Sequence, residues 1–278
     1  MALKATRLKA TRRTDGRAVG YSAAVQTDGA PRLQLDVLGA GPAYTDRLGA
    51  AGASYLIRSG PTAVVLDLGQ GSFPRLAATL EPSTVDAILV SHLHPDHFID
   101  LVALRHYLRW QFEPERHVRI IAPDGLAQRI DSLHDEPGFT AATLDVEPIR
   151  DRFSIGALEF QAARVTHTRD SHAYRVSTNG STGLVYSGDC GRAEDLEALI
   201  RPGDTLLCEV SFGPGPVAPD AMHLDGPAVG ALAARTGVGR VLLTHLQMGF
   251  DQAATVASVE ARFDGPVEFM EPGTQLRI

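Results

Sequence analysis

The sequence predicts an α/β protein built as a four-layer αββα sandwich, two mixed sheets face to face with helices outside. Three observations carry that prediction. Short strand-like runs alternate with helical ones through both halves of the chain, and no domain-sized linker interrupts it after residue 31. A composition of 44% hydrophobic and 21% charged residues over 278 positions supplies enough apolar side chains for a core of that size.

The elements follow in order. Residues 33–38 (Leu33-Gln34-Leu35-Asp36-Val37-Leu38) alternate apolar and polar as a half-buried strand does, and Gly39-Ala40-Gly41-Pro42 ends it. Runs 54–58 and 63–66 flank the turn Ser59-Gly60-Pro61-Thr62, which predicts an antiparallel hairpin. A helix over 73–80, a strand over 87–90 and an amphipathic helix over 98–110 complete the first half. The second half predicts strands at 158–165, 173–176 and 184–186, a helix over 193–200 and a strand at 205–208. Then come a helix over 226–235, a strand at 240–243, a helix over 252–263 and a strand at 267–269. Residues 1–31, rich in Lys and Arg and lacking an apolar run, read as a flexible basic N-terminal tail outside the fold, leaving 32–278 as the folded domain.

Bulk properties narrow the function. The apolar runs are too short to span a bilayer, and a net charge of −7 argues against a surface built to grip nucleic acid. Cys190 and Cys208 are too few for a disulfide framework and fall in or beside buried strands, so a reducing cytoplasm is the expected location.

The chemistry concentrates in His92-Leu93-His94-Pro95-Asp96-His97, three imidazoles and a carboxylate directly after a buried strand, in a turn stiffened by Pro95. Imidazole and carboxylate suit zinc, with manganese and iron as alternatives, and neighbouring residues of one turn can face different ions. Further ligand types recur at strand ends: Asp67, His167, Asp189 and His245.

These residues resemble the metallo-β-lactamase superfamily, whose HxHxDH motif His92 to His97 match residue for residue. Val64-Val65-Leu66-Asp67-Leu68-Gly69, Val165-Thr166-His167, Ser187-Gly188-Asp189 and Leu243-Thr244-His245 resemble its remaining strand-end motifs, so the resemblance covers residues 33–278. It implies the metallo-β-lactamase fold and two divalent metal ions. One ion falls to His92, His94 and His167, the other to Asp96, His97 and His245, with Asp189 between them and Asp67 orienting the histidine turn. Two cations sharing a carboxylate can activate a water for hydrolysis, with Asp96 among the catalytic residues.

Leu207-Cys208-Glu209-Val210-Ser211-Phe212 and Met222-His223-Leu224-Asp225-Gly226 resemble the tRNase Z branch of that superfamily, in which a glutamate after a strand pairs with a histidine before the next helix. The resemblance implies catalytic roles for Glu209 and His223, the carboxylate fixing an imidazole that delivers a proton to an alkoxide leaving group. The stretch 222–267 looks like a group of tRNase Z-like proteins that includes atypical class II cyclic nucleotide phosphodiesterases. The short interval between His167 and Asp189 leaves no room for a long protruding arm that holds tRNA. The expectation is therefore a phosphodiesterase acting on a cyclic nucleotide or another small phosphodiester. A tRNA 3′-processing endoribonuclease and a thioester or lactone hydrolase are the alternatives, and a homodimer is compatible with either. His106, His117, His134 and His172 carry no motif; His172, just behind His167, is the one of the four placed to line a pocket. Tyr107, Trp110 and Phe112 read as packing at a helix end.

Overall fold

The computed structural model describes residues 33–218 and 220–278. The expected basic tail over 1–31 lies outside the described residues. In the first half of the chain, β1 (Gln34–Gly39), β2 (Ser54–Ser59) and β3 (Thr62–Leu66) form an antiparallel meander. Helix α1 (Phe73–Thr79) leads to β4 (Ala87–Leu89), and α2 (Pro95–Phe98) and α3 (Leu101–Trp110) to β5 (Val118–Ala122). Helix α4 (Leu126–His134) then leads to β6 (Leu144–Pro148). Strands β3 to β6 run parallel.

The second half repeats the scheme. Strands β7 (Arg152–Ile155), β8 (Leu158–Arg164), β9 (His172–Ser177) and β10 (Leu184–Tyr186) pair antiparallel. Strand β11 (Thr205–Glu209), helix α5 (Gly226–Thr236), strand β12 (Arg240–Thr244), helix α6 (Gln252–Glu260) and strand β13 (Val267–Phe269) follow, with β10 to β13 parallel. Strand β14 (Gln275–Arg277) crosses back to pair with β1, giving two seven-stranded sheets ordered β14-β1-β2-β3-β4-β5-β6 and β13-β12-β11-β10-β9-β8-β7.

The strands supply the sandwich through their alternation. Leu35, Val37, Tyr55, Ile57, Val64 and Leu66 of the first sheet meet Leu158, Phe160, Tyr174, Val176, Leu184 and Tyr186 of the second in one buried cluster. The opposite faces hold Leu56, Val65 and Ile88 under α1, α3 and α4, and Val185, Leu206, Cys208 and Val241 under α5 and α6. Successive residues of a strand point to opposite faces, so strands covered on both sides are buried at every position, as β3 and β11 are. Both cysteines are buried and free. No helix of the described residues is long and apolar enough to cross a membrane.

Two expectations are corrected. The helix predicted over 98–110 begins at Leu101, because α2 closes at Phe98 and the amide of Asp100 bonds outside the helix: it donates to Leu68 O at 3.1 Å, while Asp100 Oδ2 accepts Phe73 N at 2.8 Å. The helix predicted over 193–200 shrinks to a single 3-10 turn, Ala193–Leu196. Its segment is recruited elsewhere: Asp195 Oδ2 accepts the amide of Thr166 at 2.7 Å, the residue before His167. Elements β5, α4, β6, β7 and β14 were not predicted at all.

Candidate metal centre

The parallel strands of both sheets end at the same edge, where loops must leave the sheets and side chains can converge. Strand β3 ends at Asp67, β4 runs into the turn His92 to His97, β10 into Asp189, β11 ends on Glu209 and β12 runs into His245. Strand β8 delivers His167 to the same edge, since Arg164 at its end pairs with His172, two residues beyond the Tyr174 that faces Tyr186 at the end of β10. The sequence-predicted residues therefore assemble from elements far apart in the chain.

They form two clusters that share one carboxylate. The potential ligand atoms of His92, His94, His167 and Asp189 lie within 4.8 Å of one another, as do those of Asp96, His97, Asp189 and His245. Asp189 Oδ2 stands 3.7 Å from His92 Nε2 and 3.6 Å from His167 Nε2. Its Oδ1 stands 3.3 Å from His97 Nε2 and 3.4 Å from His245 Nε2. His167 Nε2 and His94 Nδ1 are 3.1 Å apart, and His245 Nε2 is 3.2 Å from Asp96 Oδ2.

Outer partners decide which nitrogen of each ring faces inward. His97 Nδ1 donates to Asp67 Oδ2 at 2.7 Å, His167 Nδ1 to Met222 O at 2.7 Å, and His245 Nδ1 to Ser211 Oγ at 3.0 Å. His92 Nδ1 meets Ser91 Oγ at 3.1 Å. A neutral imidazole with its Nδ1–H engaged presents a lone pair at Nε2, so these rings aim acceptors at one another and at Asp189. Such an arrangement is unfavourable unless a cation stands between them. His92 Nε2, His97 Nε2 and Asp189 Oδ1 are indeed buried without a hydrogen-bond partner among the described residues. The nitrogen and oxygen donors, their outer partners and these orphaned atoms fit divalent metal ions.

Electrostatics agree. Burial resists a charge on Asp189, yet the charges of His245, His97 and His92 hold its carboxyl well below the usual carboxylate range. Burial, then the charge of His97, keeps His92 well below an ordinary imidazole, and burial lowers His94 and His167 too. His97 goes the other way. Burial opposes its charge, but Asp189 and Asp67 raise it well above the ordinary value.

Asp67 fixes this turn from behind. Buried and held at φ 58°, it accepts Ser91 N at 2.6 Å, Ser91 Oγ at 2.7 Å, His97 Nδ1, and the hydroxyl of Tyr186 at 2.6 Å. Tyr186 reaches it from the second sheet, so the two halves meet at this carboxylate.

Glu209 and His223 form a third group with His245 at the clusters' edge. His223 Nδ1 donates to Glu209 Oε1 at 2.9 Å and lies 4.0 Å from Asp189 Oδ2. Glu209, fully buried, also accepts Cys190 N at 2.9 Å, Ser211 N at 3.0 Å and Ser211 Oγ at 2.7 Å. The start of α5 places His223: Asp225 caps that helix by accepting Ala228 N at 2.9 Å and braces the incoming loop through Val217 N at 3.1 Å. Burial works against a charge on His223, but the Glu209 hydrogen bond and the charges of Glu209 and Asp189 push it up to about 9.

Ser91, Ser211, Tyr186 and the carbonyl of Met222 escaped the sequence reading. Nothing in a lone serine or a backbone carbonyl signals contact with an imidazole far along the chain. His172 stays outside both clusters, its Nδ1 bonded to Asp170 O at 2.9 Å. His117 pairs with Asp145 at the surface, and His106 and His134 pack around Phe139.

Comparison with known proteins agrees with this geometry. Residues 62–246 match the family described as the Beta-lactamase superfamily domain. An uncharacterized protein of Mycobacterium leprae is 31% identical over 235 residues, covering 80% of either chain. A ribonuclease Z of Mycolicibacterium gilvum is 27% identical over 272 residues, covering 85% of this chain and 93% of its own. Among solved structures, the metallo-beta-lactamase fold protein YhfI of Bacillus subtilis superposes with a TM-score of 0.79 at 20% identity, covering 89% of this chain and all of that one. With more than half its length in that family and its strand-end histidines and aspartates gathered at one edge of the sandwich, the chain belongs to the β-lactamase superfamily.

Proposed function

We propose that this protein is a binuclear phosphodiesterase that hydrolyses a cyclic nucleotide or another small phosphodiester. The observation that carries the reading is the Glu209–His223 pair, placed beside the two clusters without belonging to the shared set around Asp189. Thioester hydrolysis expels a thiolate, which has less need of such a proton donor, whereas an alkoxide leaving phosphorus is a strong base.

His92, His94 and His167 would hold one ion, Asp96, His97 and His245 the other, and Asp189 both; zinc suits this donor set, with manganese or iron as alternatives. When bound, the two cations supply a hydrolytic nucleophile at neutral pH and positive charge for the phosphoryl group. The remaining work belongs to the chain. Asp67, Ser91 and Ser211 fix ring orientation through the bonds described above, which preserves the inward lone pairs. Asp96, whose Oδ2 lies 3.2 Å from His245 Nε2, would orient the reacting water from the second cluster. Glu209 keeps Nδ1 of His223 engaged, so its Nε2 is the nitrogen left to protonate the leaving oxygen. Two buried free cysteines suit a reducing cytoplasm.

A tRNA 3′-processing activity is the second reading, favoured by the same pair and by the ribonuclease Z relative. Against it, β9, β10 and their short turns occupy the whole interval from His167 to Asp189, leaving no protruding arm there. The test is turnover by metal-reconstituted protein of cyclic AMP, cyclic GMP, bis-p-nitrophenyl phosphate, a thioester and a precursor tRNA. Turnover of the small phosphodiesters supports the proposal. Cleavage of the thioester alone, or of precursor tRNA with no cyclic nucleotide turnover, overturns it.

A further inference from the structure

Three loops meet on the Glu209–His223 side of the metal centre: residues 211–217 after β11, 221–225 before α5 and 246–250 after β12. Close contacts stitch them together. Gln247 N donates to Ser211 O at 3.2 Å and Phe212 N to Leu224 O at 3.1 Å, while Gly213 lies so near Phe250 that a Cβ there would stand 2.7 Å from its ring. Each loop is also tied to the reacting groups. Ser211 Oγ touches His223 and His245, Met222 O holds His167, and Leu246 follows His245 directly in the chain.

What these loops present is apolar. Among the described residues six large apolar side chains are exposed, and two of them stand here: Met222, 43% exposed, beside His223, and Met248, 47% exposed, three residues past His245. Phe212, half-buried, adds a ring that meets the His223 ring edge-on, with centroids 5.9 Å apart. Single exposed apolar side chains are ordinary on a protein surface, but three set round one proton donor make a surface that gains by being covered. The loops carry no lysine or arginine, and their one carboxylate, Asp225, is committed to the cap of α5 and to Val217 N; Asp220, between the first two, is exposed. Cations border the rim without forming it: Arg47 Nη1 reaches Leu246 O at 3.5 Å, and Arg192 follows Gly191, which lies against the backbone of Met222. A second phosphate finds no cation on these loops, whereas an apolar ring finds three partners.

The reaction decides what covers them. An imidazole that protonates a leaving oxygen lies on the leaving-group side of phosphorus, so the side chains around His223 face the alcohol half of the ester. Phenylalanine receives an aromatic ring edge-to-face and methionine sulfur rests against a ring edge, each adding to the gain from covered area. None of the three side chains offers a strong hydrogen bond, so they hold a ring by its face and edge rather than by its substituents.

We propose that Phe212, Met222 and Met248 form the leaving-group subsite and select esters whose departing alcohol carries an aromatic ring. The proposal rests on the phosphodiester reading, with His223 as proton donor, and adds to it which half of the ester is recognised. In a cyclic nucleotide the departing oxygen stays on the nucleoside, so the ring that meets this rim is the base.

The experiment uses metal-loaded protein and the variants Phe212→Leu and Met248→Ala. Two diesters share a methyl phosphate and differ in the departing alcohol, phenol in one and hexafluoroisopropanol in the other, which are of similar acidity and so have a similar need of a proton. The parent protein is expected to favour the phenyl ester about tenfold in kcat/KM, and each substitution to reduce that ratio about threefold to tenfold through KM, because the ring is held before and during the reaction. A fault in folding or metal content slows both esters alike and leaves the ratio standing. Calorimetry gives a second readout: phenyl phosphate should bind the parent protein more tightly than ethyl phosphate, and both variants should narrow that gap. A parent ratio near one, or a ratio that neither substitution changes, overturns the subsite. If neither diester is turned over while a thioester is, the phosphodiesterase reading has failed. The calorimetric gap then decides the subsite alone: a gap that the variants narrow supports it, and no gap, or one they leave unchanged, overturns it.

Discussion

Asp189 sets a single buried carboxylate among the nitrogens of His92, His97, His167 and His245, at 3.3–3.7 Å. Among the described residues, no other side chain joins both clusters. Replacing Asp189 by Ala removes the charge that offsets two neighbouring cations, so hydrolysis should be abolished and at least one ion lost on gel filtration, as read by elemental analysis. A variant that keeps full activity is incompatible with the shared carboxylate. His223 calls for the opposite result on metal content. His223→Ala should retain both ions yet lose on the order of 10²–10⁴ in kcat for an alkoxide leaving group. With p-nitrophenolate, a weak base that leaves without a proton, the loss should be markedly smaller. Equal losses on both substrates, or the departure of an ion, would make His223 a ligand or a packing residue instead. The residues of the two clusters were legible from sequence because imidazoles and carboxylates at strand ends are conspicuous by type. Ser211 was not, although its hydroxyl contacts Glu209, His223 and His245, because hydroxyl chemistry at a site is silent until the fold brings the imidazoles to it.

The histidine turn owes its position to close backbone packing. A Cβ on Gly69 would fall 1.9 Å from Asp96 O and 2.8 Å from Gly52 C, both main-chain atoms that cannot swing away. The chain after β3 therefore lies directly against α2, and Leu68 N donates to His97 O at 2.8 Å across the same contact. Gly69→Ala should cost about 1–3 kcal/mol, seen as a lower urea midpoint at unchanged slope, and should weaken metal retention because Asp96 must move. A midpoint equal to that of the parent protein would show the backbone giving way freely. Elements read well where periodicity was strong and capped, as at α5 with its Asp225 cap, and where a buried run was bounded by turns, as at β10. They were missed over β5 to β7, where β6 and β7 are short and largely uncovered and so lack a clear apolar period. The stretch 193–200 had a helical pattern but a competing use, since Asp195 is drawn to the amide before His167.

At the scale of the molecule, the metal centre is also a joint between the two sheets. His92, His94, Asp96 and His97 descend from β4 of the first sheet, while His167, Asp189 and His245 descend from β8, β10 and β12 of the second. The apolar layer between the sheets was predictable from strand alternation. The registration of their edges was not, because it depends on which loops converge. With the ions removed, three buried atoms at this joint, His92 Nε2, His97 Nε2 and Asp189 Oδ1, have no partner among the described residues, each at a cost of about 1–3 kcal/mol. Divalent ions bind the folded chain and hardly the unfolded one, so each stabilises it by about 2.7 kcal/mol at a hundredfold excess over Kd. For two ions, at about 2–4 °C per kcal/mol for a domain of this size, exhaustive chelation should lower Tm by about 10–20 °C, and zinc added back should restore it. The same titration should saturate at two ions per chain, since seven ligand residues exceed what one tetrahedral ion uses. Chelated protein whose Tm does not move, or one that saturates at a single ion with its fold intact, would show that the sheets are joined by packing alone and that the second cluster does not hold a metal.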